Sequence, residues 1–405
     1  MSFQKKFVNL VRPRISHSEK VQFPFGNVPL VIFAEALKSS KVLSHLELTN
    51  VDHPELLEDA LTHMKSLKYM SIIYSDFPPI DNDLYVVRGH KIALMIANVL
   101  KVNKLIGSLI ILRACIFEEE ALVIADGLKV NIALTFLDLS GNYIEDAGAI
   151  AIINAIRSKT TITTLNLNDN NIGDRGAIAI AEVLKVNTSI IKLGLALNEI
   201  GNDGAIAIAD ALTVNTTLTK LYLSNNEIRP KGGVAIGDSL KVNSSLLSLY
   251  LDDNCIRNRG ALAIAEALVL PCTSLQELSL NHNKIQGYGV AVLFKALEYN
   301  CNLKKIHILS DELDADGYLR TESDCVNPVV YPMKRYGMSA GPSFCPTLQE
   351  ISFGRHMYEV CDGKVNTKAL IQKLLERLVC EDGAHVLSHD YWIRSLHFSW
   401  VYDSY

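Results

Sequence analysis

The chain has 405 residues, of which 49% are hydrophobic and 20% are charged, and its formal net charge is −5. With a pI near 6.1, the chain as a whole has no general electrostatic attraction for nucleic acid or for a membrane surface. Charged residues interrupt its apolar runs before they reach the length of a membrane span, so we expect no membrane insertion.

The first 105 residues predict irregular structure that leads into a more regular array. We predict an amino-terminal cap over residues 1–42, in which residues 28–41 form a helix. Irregular leading repeats follow over residues 43–105, with strands that begin near Leu43 and Leu67. A further strand begins at Ile106, where the regular array starts.

Residues 106–302 repeat one unit. Copies of the pattern that reads LTFLDLSGNYI in its first instance begin at Leu134, Ile162, Ile190, Leu218, Leu246 and Leu275, so the period is 28 residues and, in the last step, 29. A fixed period of this length is typical of a solenoid. The array therefore predicts a stack of similar coils rather than two or three separate globular domains.

Each copy changes its apolar period halfway. The spacing of two residues between Leu137 and Leu139 places both side chains on one face of a short strand. The second half is a run such as GAIAIAEVLKVN after Asp174 and Arg175, whose length and composition favour a helix. The predicted unit is strand, turn and helix.

Asparagine and glycine recur at fixed positions of the unit. We interpret the asparagines at the ninth position as scaffold residues whose amides satisfy turn backbone groups: Asn142, Asn170, Asn198, Asn226, Asn254 and Asn283. Glycines such as Gly176 begin the helices, which predicts close contact with a neighbouring coil. Asparagines at the helix ends, such as Asn131 and Asn187, are interpreted as carboxyl-terminal caps.

The unit resembles the leucine-rich repeats of ribonuclease inhibitor, of NOD-like receptors and of the Ran GTPase-activating protein. The resemblance implies an α/β leucine-rich-repeat solenoid in the form of a horseshoe arc, with parallel strands on the concave face and helices on the convex face. It also implies binding of other proteins. The pattern is specific for the fold and says little about the partner.

The repeat pattern weakens after residue 302. We predict degenerate repeats, a long excursion and a carboxyl-terminal cap over residues 303–405, with strands that begin at Leu303 and Leu348. The excursion covers residues 310–347, which are rich in proline, glycine and serine. Two weak metal patterns, residues 312–317 and the pair His385 and His389, lack the full spacing of a calcium loop or a zinc site.

Catalytic motifs are missing from the sequence. It contains no G-x-S-x-G elbow and no Walker loop, and its histidines and cysteines are scattered. We therefore predict a protein that is not an enzyme, with no catalytic residue, no cofactor and no metal.

The outward positions of the strands form the predicted binding surface. The third, fifth and seventh positions of each copy face away from the core and form columns across neighbouring strands. Tyr222 and Tyr250 are adjacent in one column, and exposed tyrosines among mixed charges are typical of binding hot spots. Ordinary cross-strand packing of tyrosine is the alternative interpretation. The predicted partner-binding residues are Lys192, Lys220, Tyr222, Tyr250, Asp252, Asp253, Glu277, His282 and His307.

Together these features predict a non-enzymatic scaffold that recognises a protein partner, and not nucleic acid, through the concave face. One alternative is a Ran-type GTPase-activating protein, because that family shares the unit and acts through loop residues. Another is a eukaryote-like bacterial effector that is delivered into a host cell and binds a host protein. Eight cysteines without a C-x-x-C pair predict reduced thiols in a cytoplasmic protein.

Overall fold

The computed structural model describes residues 18–23, 29–75, 83–308, 350–353 and 356–359. The chain divides into two compact units, Met1–Ile200 and Gly201–Tyr405. The predicted excursion over residues 310–347, both metal patterns and the larger part of the carboxyl-terminal cap lie outside the described residues. The predicted boundaries of the caps and of the irregular repeats stay predictions.

The first unit is built from strands that alternate with helices. Its strands pair in chain order and every pair is parallel. A short 3-10 helix, Pro54–Leu57, precedes the second of its helices. The strands are β1 (Lys20–Phe23), β2 (His45–Thr49), β3 (Tyr69–Ile73), β4 (Ser108–Leu112), β5 (Phe136–Asp138), β6 (Thr164–Asn166) and β7 (Lys192–Gly194). The helices are α1 (Leu30–Leu37), α2 (Glu58–His63), α3 (Asp83–Val102), α4 (Glu118–Val130), α5 (Glu145–Ile156) and α6 (Asp174–Leu184).

The second unit continues the same alternation. Strands β8 to β12 pair in chain order and are parallel where the register is known, and β13 is antiparallel to β12. The strands are β8 (Lys220–Tyr222), β9 (Ser248–Tyr250), β10 (Glu277–Ser279), β11 (Lys305–Ile308), β12 (Glu350–Phe353) and β13 (His356–Glu359). The helices are α7 (Asn202–Val214), α8 (Pro230–Leu240), α9 (Arg257–Leu268) and α10 (Gly287–Leu297).

The repeat period sets the register of the strands. In the first unit Leu137 pairs with Leu165, and Leu165 with Leu193, and all three side chains are fully buried. In the second unit Leu221 pairs with Leu249 in the same way. Each regular coil contributes a strand residue such as Leu137, a second leucine just after the strand such as Leu139, and an apolar helix face to the core, so neighbouring coils bury each other as the repeat predicts.

The irregular ends agree with several predicted elements and add two more. The predicted helix over residues 28–41 is α1, and the strands predicted near Leu43, Leu67 and Ile106 are β2, β3 and β4. The strands predicted at Leu303 and Leu348 are β11 and β12. The sequence did not predict β1, within the amino-terminal cap, or β13, because both are isolated four-residue strands outside the repeat pattern.

The ninth-position asparagines have the predicted scaffold role. The Oδ1 atom of Asn198 accepts hydrogen bonds from the backbone N–H groups of Asn170 at 3.1 Å and Ile172 at 3.0 Å. Its Nδ2 atom donates to the carbonyl oxygens of Leu167 at 3.0 Å and Ala196 at 3.1 Å. One buried amide therefore joins three stretches of backbone where the strand ladder has ended.

The helix-end asparagines include the predicted caps and make further bonds. Asn131 is the C-cap residue of α4, and its N–H donates to the Gly127 carbonyl oxygen, although its backbone is extended, with φ −74° and ψ 137°, and not left-handed. Its Oδ1 atom accepts from the N–H of Leu134 at 2.9 Å, and its Nδ2 atom donates to the carbonyl oxygen of Asn103 at 3.1 Å. The side chain therefore joins one connection to the next, in addition to the backbone bond that ends the helix.

The helix glycines lie where neighbouring coils meet, as predicted. A Cβ atom added at Gly176 would lie 2.8 Å from Oδ1 of Asp146, which belongs to the preceding coil. That same oxygen accepts the N–H of Gly176 at 2.7 Å. A larger residue at this position would displace the carboxylate that holds the amino-terminal turn of α6.

Candidate functional site

The outward strand residues of the second unit form two side-by-side columns. We call this surface, together with the seventh-position residues that follow the strands, the strand face. The parallel register places neighbours 28 or 29 residues apart beside each other. One column contains Lys220, Ser248, Glu277 and Lys305, and the other contains Tyr222, Tyr250, Ser279 and His307. Within this unit the predicted columns are therefore present.

A stacked pair of tyrosines is the largest feature of the strand face. The rings of Tyr222 and Tyr250 have centroids 4.6 Å apart and an interplanar angle of 2°. Both side chains are partly exposed. The stack presents partly exposed ring surface from two adjacent strands, which suits contact with a large partner.

Glu277 fixes the position of the second tyrosine. Burial raises the pKa of the Tyr250 hydroxyl, and its hydrogen bond to the Glu277 carboxylate raises the pKa further. The hydroxyl of Ser248 donates to Oε2 of the same carboxylate at 3.4 Å. Tyr250 therefore stays protonated at neutral pH and donates its hydrogen to a negative partner on the neighbouring strand.

Asp252 is more fully bonded than its position in the sequence predicts. Its Oδ2 atom accepts from the Ser224 hydroxyl at 3.0 Å, and its Oδ1 atom accepts from the Ser279 hydroxyl and from the Asn281 N–H at 3.0 Å. Three neighbours thus satisfy this carboxylate within the protein. Its present role is to hold three coils in register.

Asp253 and His282 lie in turns beyond the ends of the strands. Both occupy the eighth position of the repeat and have left-handed backbone, with φ of 52° and 53°. Asp253 is exposed and His282 is partly exposed. They therefore border the strand face and do not belong to its columns.

The remaining predicted residues are divided between the two units. Lys220 and His307 are partly exposed on the strand face of the second unit. Lys192 is exposed on β7 of the first unit, where it pairs with Thr164. The second unit thus contains every predicted site residue except Lys192.

The strands of the first unit present polar side chains that bond to one another. The Nδ2 atom of Asn166 donates to Oδ2 of Asp138 at 3.0 Å, and Oδ1 of Asn168 accepts the N–H of Ala196 at 2.8 Å. A Cβ atom at Gly194 would lie 2.8 Å from the same Oδ1 atom, so glycine leaves the space for this amide. This part of the first unit contains no stacked aromatic pair among residues 136–196.

Sequence reasoning missed Leu197 in the first unit. Its side chain is 52% exposed, and its backbone is left-handed with φ 56°. This conformation is unfavourable for leucine, and the same repeat position holds Gly141, Asp169 or Asn225 elsewhere. The odd residue type at the eighth position is the signal that could have identified it.

The described residues contain neither a metal-binding cluster nor a membrane-spanning helix. Within them, no group of three or more histidine, cysteine, aspartate or glutamate side chains could hold a metal ion. No helix in the same part of the chain is long and apolar enough to cross a membrane.

Comparison with known proteins supports the repeat interpretation. The family model described as Leucine Rich repeat matches six segments: residues 130–152, 158–181, 186–209, 214–237, 242–265 and 272–294. No curated protein sequence matches the chain. The chain is similar to a solved structure of the Leiomodin-1 actin-binding site 2. The match covers 32% of this chain and 76% of the other chain, with 29% sequence identity and a TM-score of 0.30. The six matches and the alternation of parallel strands with helices identify an α/β leucine-rich-repeat solenoid, an architecture of protein-interaction scaffolds.

Proposed function

We propose that this chain is a non-enzymatic scaffold that binds a protein partner through the strand face of its second unit. The observation that supports this most directly is the partly exposed stack of Tyr222 and Tyr250 on two adjacent strands. Aromatic side chains with polar tips bury a large area at a modest cost in conformational entropy, which is why hot spots are enriched in them.

The neighbouring residues have distinct proposed roles. Lys220 on β8 and His307 on β11, two strands beyond Tyr250, provide polar contacts around the stack. Glu277 orients Tyr250, whereas Asp252 keeps the three coils aligned and makes no direct contact. Asp253 and His282 contact the partner from the turns. Lys192 and Leu197 belong to the first unit and are candidate contacts of that unit by itself.

We also propose that the repeats belong to the ribonuclease-inhibitor-like subclass and that the protein works in a reducing, cytoplasmic environment. A period of 28 residues with a full helix in each coil supports the subclass. Cys115, Cys255 and Cys272 are free thiols, which supports the compartment. The triplets Asn187-Thr-Ser and Asn243-Ser-Ser match the acceptor pattern for N-glycosylation. Both asparagines are buried, so the fold explains them without glycosylation.

The test compares partner capture by the native protein and by the double variant Tyr222→Ala with Tyr250→Ala. Loss of the stack should lower the free energy of unfolding by only about 1 to 2 kcal/mol, because both rings are partly exposed. Capture from the native cell extract should fall more than tenfold, a loss typical of hot-spot residues. The protein that p-benzoylphenylalanine crosslinks from position 222 should be the same protein that the double variant fails to capture.

A second stacked pair provides the control. Phe117 and Tyr143 have ring centroids 5.1 Å apart and lie outside the strand face. Phe117→Ala with Tyr143→Ala removes a similar stack and should leave capture unchanged. Equal capture by both double variants would contradict the proposal, as would a loss of several kcal/mol in stability for the strand-face variant.

A further inference from the structure

The connections from helix to strand in the first unit are unusually basic. We call these six segments, residues 38–42, 64–68, 101–105, 129–133, 157–161 and 185–189, the basic edge. They contain no acidic and no aromatic residue, although the whole chain has a net charge of −5. Their basic residues are Lys38, Lys41, Lys65, Lys68, Lys101, Lys104, Lys129, Arg157, Lys159 and Lys185.

Hydrogen bonds place these segments side by side. Each pair of neighbouring connections from residue 43 to residue 189 is joined by a side chain that donates to the preceding backbone. The bonds are Ser66 Oγ to Leu43 O at 2.7 Å, Asn103 Nδ2 to Met64 O at 2.9 Å, Asn131 Nδ2 to Asn103 O at 3.1 Å, Lys159 Nζ to Asn131 O at 2.9 Å and Asn187 Nδ2 to Lys159 O at 3.2 Å. The ten cations therefore belong to one continuous edge.

Seven of these ten cations make no ion pair with any described residue. Lys38, Lys129 and Lys185 form ion pairs with acidic residues of nearby helices. Lys104 and Lys159 donate to carbonyl oxygens at the ends of helices, where a positive charge offsets the helix dipole. Lys101 and Arg157 also lie at helix ends, and Lys101 lowers the pKa of the nearby Asp126 carboxyl. Lys41, Lys65 and Lys68 are exposed beyond the helix ends, so capping of helices does not account for these three.

Exposed aliphatic side chains alternate with the cations. Ile132 is 66% exposed and Val102 is 57% exposed, and both lie next to a buried asparagine that fixes the backbone. The same edge exposes Val42, Leu105, Val130 and Val186. A surface that combines fixed apolar side chains with free lysines offers both apolar burial and attraction to negative charge.

The composition of the edge distinguishes between possible anionic partners. Protein interfaces are enriched in aromatic residues and arginine and depleted in lysine, and single-stranded nucleic acid is bound on aromatic platforms. The basic edge has nine lysines, one arginine and no aromatic residue. Lysine clusters with neighbouring apolar side chains are instead typical of surfaces that bind anionic lipid headgroups.

We infer that the basic edge of the first unit docks on an anionic phospholipid bilayer, with the lysines at the headgroups and the aliphatic side chains inserted at the interface. The corresponding connections of the second unit, residues 213–217, 241–245, 270–274 and 298–302, contain one lysine and one glutamate and lack this character. The inference concerns a surface separate from the strand face, so it does not depend on the proposed protein partner.

The test is flotation of the full chain with phosphatidylcholine vesicles that contain or lack phosphatidylserine. The protein should bind only the vesicles with phosphatidylserine, and binding should weaken as salt is added. Lys65→Gln with Lys101→Gln should lower the partition coefficient about thirtyfold, from the typical contribution of a lysine near an anionic surface. Val102→Ser with Ile132→Ser should also lower it, while the remaining binding keeps its dependence on salt.

Lys231→Gln with Arg259→Gln is the matched control, because it makes the same change of charge at exposed positions of the second unit. This variant should bind vesicles like the native protein. Equal losses in the two charge variants, equal binding to both kinds of vesicle, or no binding to either would overturn the inference. The native protein could instead fail to bind vesicles but bind polyglutamate or single-stranded RNA, and Lys65→Gln with Lys101→Gln could abolish that binding. This result would overturn the inference and assign the edge to another class of partner.

Discussion

Replacement of a single ninth-position asparagine should destabilise the solenoid strongly, and Asn198→Ala is the clearest case. The change removes the acceptor of two buried N–H groups, those of Asn170 and Ile172, at 3.1 and 3.0 Å. It also removes the donor to Leu167 and Ala196, although the Ala196 carbonyl keeps the N–H of Asp169 at 2.8 Å. Two orphaned donors at about 1 to 3 kcal/mol each, with partial relief from entering water, give a loss of about 4 kcal/mol.

Equilibrium urea denaturation measures this loss, and amide hydrogen exchange locates it. The N–H groups of Asn170 and Ile172 should lose protection first, because their acceptor has gone. Asn154→Ala is the control: Asn154 is exposed in α5, where alanine favours the helix, so stability should change by no more than about 0.5 kcal/mol. A loss below about 1 kcal/mol for Asn198→Ala, or unchanged protection of the two amides, would refute the scaffold interpretation.

Three further changes test local packing, electrostatics and backbone strain. Gly237→Ala would place a Cβ atom 2.7 Å from the backbone nitrogen of Ile264, so urea denaturation should show a loss of about 2 kcal/mol in the free energy of unfolding. Gly107→Ala is the control: its Cβ atom would have no contact closer than 3.8 Å, so the change should be neutral or slightly stabilising. Glu277→Gln should bring the pKa of Tyr250 down towards its usual value because the nearby negative charge is lost, which an ultraviolet titration against a Tyr250→Phe reference detects. Leu197→Asn should raise the free energy of unfolding by about 1 kcal/mol, because asparagine tolerates left-handed backbone, and the midpoint of urea denaturation should rise with it. An unchanged or lower midpoint would contradict the strain at this position.

The repeat period predicted most of the fold because it fixes which residues are buried. Once Leu137 and Leu165 are one period apart and both apolar, only a parallel pairing of their strands buries them together. The amide of Asn198 follows from the same logic, since each coil leaves the same backbone groups without a ladder partner. Strands β1 and β13 escaped prediction because four residues outside the repeat give too short an apolar pattern.

The chemistry of individual outward side chains was less predictable. The sequence shows an aspartate at position 252, but not that two serine hydroxyls and a backbone amide from the two neighbouring coils would converge on it. The helix-end position of Asn131 predicted a cap, but not that its side-chain amide would also join two connections from extended backbone. Both outcomes depend on rotamers and on the exact path between coils, which residue spacing does not encode.

The position of the charged residues on the surface was also less predictable than the net charge of the chain. The net charge of −5 correctly describes the chain but says nothing about position. Stacking of the coils turns the connections of the first unit into one edge, so cations far apart in sequence, such as Lys65, Lys101 and Arg157, belong to one surface. Summation along repeat columns would have shown this clustering from the sequence alone.

The bonds already made on the strand face indicate which residues can add binding energy. A group that exchanges water for a partner gains more than one that must first give up a protein hydrogen bond, so the satisfied Asp252 carboxylate is a poor contact. Tyr222 and Tyr250 differ from Asp252 because their stacked rings are held in place and partly exposed, so a partner can cover ring surface without breaking the hydrogen bond of Tyr250 to Glu277. The cost of ordering these two side chains is met during folding of the protein itself, and a partner that covers them loses little further entropy. Specificity should therefore change most when other partly exposed residues of the same columns, Lys220 and His307, are exchanged.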